Sequence, residues 1–337
     1  MKLPFLALAA LLLGTASAVA EVPKVVATIK PIHSLVAAVM GDLGSPTLIV
    51  KGAASPHTYS LKPSEAGAIE AADIVFWTGH GLEVFLEDSL STLAPTATLV
   101  ELADSPGITL LPVREGGAFD AHDHGGEDDH AGETAEEHAA HADEAASHDD
   151  HAEDGEHEDH EGHDEHAEGD MHFWLDPQNA KLMVSHIAAT LATADPDNAA
   201  AYAANAEVTL AGLDALQAEL AEALKPAQGK PFVVFHDAYQ YFETRFGLTL
   251  AGTVTVTPDT MPGAARIDEL RAKVSELGAT CVFAEPNFEP AVVETIIEGT
   301  MAKAGVLDPE GGALTEGVNL YPDLLRGLAA GLADCLE

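Results

Sequence analysis

The amino-acid sequence predicts an α/β protein of two lobes, each with a mostly parallel sheet flanked by helices. Short apolar runs rich in β-branched residues alternate with helix-length segments in two separate regions of the chain, a pattern typical of parallel sheets with helices on both faces. A long Ala-rich segment between the two regions predicts a rigid helix that joins the lobes. A chain of 337 residues is long enough for two domains of ordinary size.

The N-terminal lobe is predicted to span residues 21–195. Pro31 and Pro63 occupy first-turn positions of two of its helices, where proline is favoured because its missing N–H is not needed. Asp176-Pro177 forms an N-cap and first position for a later helix. The predicted elements, in order, are strand 25–29, helix 32–40, strand 47–50, helix 64–71, strand 73–78, helix 83–90, strand 98–102 and helix 176–191.

The pair Asp195-Pro196 repeats the helix-start signal and opens the linking helix, which we place at residues 196–224. The alternation then resumes in a C-terminal lobe, residues 225–337. Its predicted elements are strand 231–235, helix 238–246, strand 248–254, helix 264–277, strand 281–284, helix 290–304 and a final helix 322–336.

The first 20 residues are predicted to be a cleaved signal peptide. Lys2 precedes an apolar run from Leu3 to Leu13, and small residues before Glu21 offer a cut after Ala18 or, in our preferred interpretation, after Ala20. The alternative is a membrane anchor, but the run is shorter than the roughly 20 apolar residues that a span needs. We therefore expect an exported protein.

Residues 118–170 form an acidic, histidine-rich insertion, which we expect to be disordered. It holds 22 Asp or Glu and 11 His, with no Lys or Arg. Charge alone favours a solvated linker, whereas interleaved imidazoles favour weak metal sites. The candidate auxiliary ligands are His122, His124, His130, His138, His141, His148, His151, His157, His160, His163 and His166.

The net charge is −41, and the chain remains acidic when the insertion is set aside. With no basic patch, nucleic-acid binding is excluded as a predicted function, and cations are the ligands that such a field attracts. The two cysteines, Cys281 and Cys335, are interpreted as a disulfide that ties the last helix to an inner strand. Two buried thiols or two zinc ligands are the alternatives.

Three histidines follow strands or precede helices at positions where α/β proteins hold ligands. His57 lies in the loop after the second strand, His172 lies just before the helix that opens at Asp176, and His236 directly follows the strand 231–235. A single histidine in such a place is more often structural. Three in matching places across two lobes favour a shared metal site, whereas His33, His80 and His186 are interpreted as structural.

The chain resembles the zinc-binding solute-binding proteins of bacterial ABC importers, the ZnuA-type family within the wider zinc and manganese group. The motifs that carry the resemblance cover residues 51–64, 171–177, 233–242 and 281–286, namely KGAASPHTYSLKPS, MHFWLDP, VVFHDAYQYF and CVFAEP. It extends over essentially the whole mature chain, including the long helix, the insertion and the paired cysteines. The fold it implies is the metal-type periplasmic binding protein.

The resemblance implies that Zn²⁺ is held between the lobes by His57, His172 and His236. Manganese-type relatives have a carboxylate at the third position, so an imidazole there favours zinc. Asp308 matches a place where other members offer an aspartate; it is the candidate fourth ligand, with a water molecule or a simple turn role before Pro309 as alternatives. Pro56 stands where some relatives have a ligating Glu.

The implied function is capture of Zn²⁺ in the periplasm and delivery to an ABC permease for import, with zinc as cargo and no enzymatic activity. The implied partners are the permease and ATPase subunits, with a periplasmic metallochaperone as a further candidate, and the protein is expected to be a monomer. A zinc-dependent hydrolase is the first alternative, although no His-Glu-x-x-His or Gly-x-Ser-x-Gly motif is present. The others are a manganese or general divalent-metal binder and an extracellular buffer or adhesive protein.

Overall fold

The computed structural model describes residues 22–87, 89–114, 169–254, 263–286 and 290–337. The predicted signal peptide lies outside these residues. So do residues 118–168 of the predicted insertion, with all eleven of its histidines.

The described residues form two compact units. The first combines residues up to Ile108 with Trp174–Lys225 and Asp308–Ala330, and the second combines Thr109–Phe173, Pro226–Leu307 and Gly331–Glu337. The predicted lobes are continuous in sequence, whereas each unit takes in separated segments.

The first unit contains a four-stranded parallel sheet. Its strands are β1 (Val25–Ala27), β2 (Thr47–Leu48), β3 (Ile74–Trp77) and β4 (Thr98–Glu101), in the order β2-β1-β3-β4. Val26 pairs with Thr47 on one side and with Val75 on the other. The helices of this unit are α1 (Lys30–Met40), α2 (Pro63–Glu70), α3 (Val84–Glu87), α4 (Leu90–Leu93), α5 (Pro177–Ala194) and α6 (Ala199–Ala223).

The second unit repeats this topology. Its strands are β5 (Pro231–Val234), β6 (Thr249–Thr253), β7 (Cys281–Ala284) and β8 (Lys303–Val306), all parallel, in the order β6-β5-β7-β8. Its helices are α7 (Gln240–Phe246), α8 (Ala264–Leu277) and α9 (Pro290–Ile297), and the final helix α10 (Leu320–Leu336) has residues in both units. The prediction of two helix-flanked parallel sheets is confirmed.

One predicted element of the second unit was wrong. The helix expected over residues 290–304 ends at Ile297, and Lys303–Val306 forms the strand β8. Gly299 has a φ of 78°, a left-handed conformation that ends the helix cheaply only for glycine. A Cβ on Gly305 would lie 2.5 Å from ring carbons of Phe283, so the residue at this position of the edge strand must be small.

The long helix α6 packs on its own unit. It follows a 3₁₀ turn over Pro196–Asn198 and runs along α5 and α1, with Tyr202, Leu213, Leu216 and Leu220 buried. Asn205 Nδ2 donates to the Val39 carbonyl at 3.0 Å. Its predicted role as the linker of the two lobes stays a prediction.

The predicted disulfide between Cys281 and Cys335 is confirmed. It ties β7 to the end of α10, and it removes both thiols from consideration as zinc ligands. Among the helices of the described residues, none combines the length and the apolar character that a membrane crossing requires.

Candidate metal centre

His236 and Glu285 occupy the point of the second sheet where the strand order reverses. With the order β6-β5-β7-β8, the chain leaves the carboxyl ends of β5 and β7 in opposite directions, which opens the crevice where α/β proteins hold ligands. His236 stands two residues beyond β5, and Glu285 directly follows β7. The fold therefore brings these two residues together from positions 49 apart in sequence.

Glu285 fixes the orientation of the His236 ring. Its Oε1 lies 2.6 Å from His236 Nδ1 and also accepts the His236 backbone N–H at 3.4 Å. Because a carboxylate is an acceptor, Nδ1 carries the ring proton and Nε2 keeps its lone pair. Both side chains are buried. A carboxylate behind a histidine in this way orients a metal-binding ring and makes it more basic.

Asp170 does the same for His172. Its Oδ1 accepts the His172 backbone N–H at 2.9 Å and lies 2.8 Å from His172 Nδ1. The His172 side chain is 8% exposed, so the pair is shielded from competing water. Asp170 and His172 are separated by one residue, and the local chain closes this pair without help from the sheet.

The two rings present their Nε2 atoms to each other at 3.4 Å. Two lone pairs at that separation repel unless a proton or a metal ion lies between them. Two Zn–N bonds of about 2.0–2.1 Å at a tetrahedral angle place their nitrogens about 3.3–3.4 Å apart, whereas two bonds of the same length at a right angle would place them about 2.8–3.0 Å apart. The observed separation fits a tetrahedral ion.

The charges around His236 favour a cation at its ring. Burial alone would lower its pKa, but the negative charge and hydrogen bond of Glu285, with the charges of Asp237 and Asp170, outweigh burial and raise the pKa above its ordinary value. The same field that favours a proton on the ring favours a metal ion, so protons and metal compete for this place.

His57 lies in the first unit, on a 3₁₀ turn over Pro56–Thr58. Ser55 Oγ accepts the His57 backbone N–H at 3.3 Å, which caps the turn, and the ring is half-buried. The loop is then anchored at Tyr59, whose hydroxyl donates to Glu65 at 2.8 Å, while Glu65 also accepts the Lys62 backbone N–H at 2.9 Å. This places His57 on an ordered loop.

Asp308, the candidate fourth ligand, is engaged by its own turn. Its Oδ1 accepts the backbone N–H groups of Glu310 at 3.1 Å and Gly311 at 2.8 Å, and Oδ2 accepts that of Ala313 at 3.4 Å. A carboxylate satisfied in this way has fewer free lone pairs to offer an ion. The turn interpretation is the one that these contacts favour.

Sequence reasoning missed the carboxylates behind the histidines. Asp170 is the last residue of the acidic insertion, and Glu285 belongs to the motif 281–286, which assigns it no role. A signal for Asp170 existed, because an aspartate two residues before a histidine can reach its ring locally. No such signal marks Glu285, whose partner lies on another strand.

A family model described as the zinc-uptake complex component A, periplasmic (ZnuA), matches residues 25–335. The chain belongs to this family. The matched range includes His57, His172, His236 and Asp308.

Relatives within the ZnuA family are similar over nearly their whole length. The high-affinity zinc uptake system protein ZnuA of Brucella suis biovar 1 (strain 1330) is 56% identical over 313 residues, which cover 93% of this chain and 91% of that protein. The protein of the same name from Paracoccus denitrificans (strain Pd 1222) is 47% identical over 327 residues, or 96% and 95% of the two chains.

A solved crystal structure of ZnuA has the same fold. It matches with a TM-score of 0.70 at 24% identity, over 94% of this chain and 99% of that one. At this identity the likeness concerns the fold alone.

Proposed function

We propose that this protein is a periplasmic solute-binding protein that captures Zn²⁺ and delivers it to the permease and ATPase subunits of an ABC importer. The observation that carries the proposal is the pair of buried imidazoles whose Nε2 atoms lie 3.4 Å apart. Carboxylates at both Nδ1 atoms orient the two rings so that Nε2 is the metal-binding atom. Relatives named as high-affinity zinc uptake proteins support zinc as the cargo.

The proposed ligands are His57, His172 and His236. His57 is proposed as a ligand because of its sequence motif and its ordered loop. His172 and His236 are proposed because of the geometry of their rings. Three neutral imidazoles suit zinc, and a water molecule suits the fourth position better than Asp308 does, because the Asp308 carboxylate already accepts three backbone N–H groups. The proposed role is binding and release rather than turnover.

The decisive experiment is a competitive chelator titration of the mature chain with Zn²⁺. Replacing His57, His172 or His236 by Ala should weaken binding about a thousandfold, since roughly a third of a binding free energy on the order of 10–16 kcal/mol is lost. His186→Ala is the matched control, because that ring is also half-buried but bonds Ser105.

Each alternative to this proposal has a result that would favour it. An unchanged affinity in one of the three variants removes that histidine from the ligand set. Tighter binding of Mn²⁺ than Zn²⁺ in a competition titration favours the general divalent-metal binder. Ester hydrolysis above a control of zinc in buffer favours the hydrolase.

The acidic insertion is proposed to hold further zinc ions weakly through its eleven histidines. A deletion that tests this must stop at Glu168, because Asp170 orients His172. Removal of residues 118–168 should lower the zinc stoichiometry and keep the tight site, as measured by calorimetry. Loss of the tight site would contradict this separation of roles.

Export to the periplasm and the transport partners are proposed from the predicted signal peptide and the family description. The family description as periplasmic supports the predicted cleavage after Ala20. N-terminal sequencing of the protein from a periplasmic extract should begin at Glu21, and a mature chain that keeps Met1 would contradict export by cleavage. Cross-linking to the permease should require the zinc-loaded form.

A further inference from the structure

Arg114 is half-buried and bonds two buried carboxylates beside the candidate metal centre. Its Nε donates to Asp237 Oδ2 at 2.9 Å, and Nη2 donates to Asp237 Oδ1. Its Nη1 and Nη2 donate to Glu243 at 3.0 and 3.1 Å. Asp237 and Glu243 are 9% and 6% exposed, so the guanidinium offsets one of two buried negative charges and supplies hydrogen bonds to both groups.

The two carboxylates belong to the segment that carries His236. Asp237 is the next residue in the chain, and Glu243 lies on α7, whose first residue is Gln240. The turn between them is tight, with the Ala238 N–H donating to the His236 carbonyl at 2.9 Å. By bonding both Asp237 and Glu243, Arg114 restrains the backbone segment that directly follows His236.

The segment that carries Arg114 also contacts the segment that carries His172. The Asp170 N–H donates to the Leu111 carbonyl at 2.8 Å. The Tyr241 hydroxyl accepts the Leu111 N–H at 2.8 Å and donates to the Asp170 carbonyl at 2.7 Å. Residues 109–114, which we call the stem, thus bond both ligand-bearing segments of the second unit.

The stem is in close contact with the segment that carries His172, at Gly169. A Cβ on Gly169 would lie 2.6 Å from Leu110 Cβ and 3.0 Å from the Leu111 carbonyl oxygen. Neither neighbour is the far end of a flexible side chain, so any larger residue must push the stem and the His172 segment apart.

We propose that Arg114 is a positioning residue that, through the stem, sets the separation of the His172 and His236 Nε2 atoms and so selects tetrahedral metal ions. This inference rests on the proposed function. The stem bonds Asp170 on one side, and Asp170 orients His172; Arg114 bonds Asp237 on the other, and Asp237 adjoins His236. A change in either contact alters the 3.4 Å gap, and with it the fit to a tetrahedral ion.

The test uses the full mature chain, with Zn²⁺ affinity and the visible spectrum of bound Co²⁺ as readouts. Tetrahedral Co²⁺ gives intense bands and octahedral Co²⁺ gives weak ones, so the spectrum reports the geometry of the site. Arg114→Lys keeps the positive charge but loses the planar guanidinium whose paired N–H groups bond the two carboxylates. Zinc affinity should fall about 10–100-fold, the usual effect of changing groups behind metal ligands, and the cobalt bands should weaken.

Gly169→Ala tests the same spacing without changing any charge. It should weaken the cobalt bands and the zinc affinity in the same direction. The matched control is Arg326→Lys, because Arg326 donates two hydrogen bonds to Glu219 on an exposed surface. The zinc affinity and cobalt spectrum of this variant should equal those of the parent.

The outcomes separate this inference from the function on which it rests. If the parent chain binds no zinc tightly, the proposed function fails. If the parent binds tightly and folded Arg114→Lys keeps the parent's zinc affinity and cobalt spectrum, the positioning role is overturned whatever Gly169→Ala does. A lower melting temperature with unchanged metal binding also overturns it, because Arg114 would then be structural only.

Discussion

The two units have the same strand order, and each has a buried carboxylate at the point where that order reverses, but the two carboxylates have different neighbours. In the first unit Glu83 accepts hydrogen bonds from the Thr28 and Thr78 hydroxyls and from the backbone N–H groups of Thr78 and Gly79. In the second unit Glu285 bonds the ring of His236.

That difference decides the chemistry of each place. Hydroxyl and N–H donors that follow β1 and β3 occupy the oxygens of Glu83, so this carboxylate ties the ends of those two strands together. An imidazole bonded through Nδ1 presents Nε2 on its far side, so Glu285 would act on a bound metal through His236. The same topology therefore supports a hydrogen-bonded structural carboxylate in one unit and a candidate metal centre in the other.

The largest expected effect concerns the pH dependence of stability. Burial raises the pKa of Glu83 to about 7, although four hydrogen bonds lower it in part. Because the folded-state pKa is above the unfolded value, the folded protein holds this proton more tightly. The resulting stability is fully present below pH 4.5 and is lost as pH rises through about 7. The shift corresponds to about 3 kcal/mol in the free energy of unfolding.

Glu83→Gln should flatten this dependence, since the amide does not titrate. Urea unfolding of the metal-depleted protein at pH 5 and pH 8 measures it, and Glu222→Gln on the surface of α6 is the control. A variant that loses stability between the two pH values as steeply as the parent would show that Glu83 does not titrate in this range.

An intermediate effect is expected at Glu285. Glu285→Gln keeps an acceptor for the Nδ1 proton but removes the charge, so zinc affinity should fall about 10–100-fold in a chelator titration. Glu83→Gln should leave the affinity unchanged. Equal losses in both variants would mean that the two carboxylates act in the same way, and the contrast between the units would fail.

The smallest effect is expected at Asp308, a third carboxylate whose neighbours are backbone N–H groups. Asp308→Asn should change zinc affinity less than about threefold and lower the free energy of unfolding by about 1 kcal/mol, because the turn loses a charged acceptor. A loss of zinc affinity above tenfold would return Asp308 to the ligand set.

Much of the fold could be predicted from local patterns. The β-branched runs gave seven of the strands, and the proline signals gave the starts of α1, α2 and α5. The strand β8 could not be predicted in this way, because Lys303-Ala-Gly-Val306 begins with a lysine and contains a glycine, so it lacks a continuous apolar run. It is a strand because it pairs with Cys281–Ala284.

The sequence by itself determined the alternation of strands and helices, the cysteine pair and the three histidines next to element ends, since these depend on neighbouring residues and on residue chemistry. Only the tertiary structure decided which carboxylate stands behind which ring. Glu285 reaches His236 because β5 and β7 are adjacent in the sheet, and Arg114 reaches Asp237 across 123 positions. Contacts between distant residues depend on how strands pair, and no local pattern specifies that.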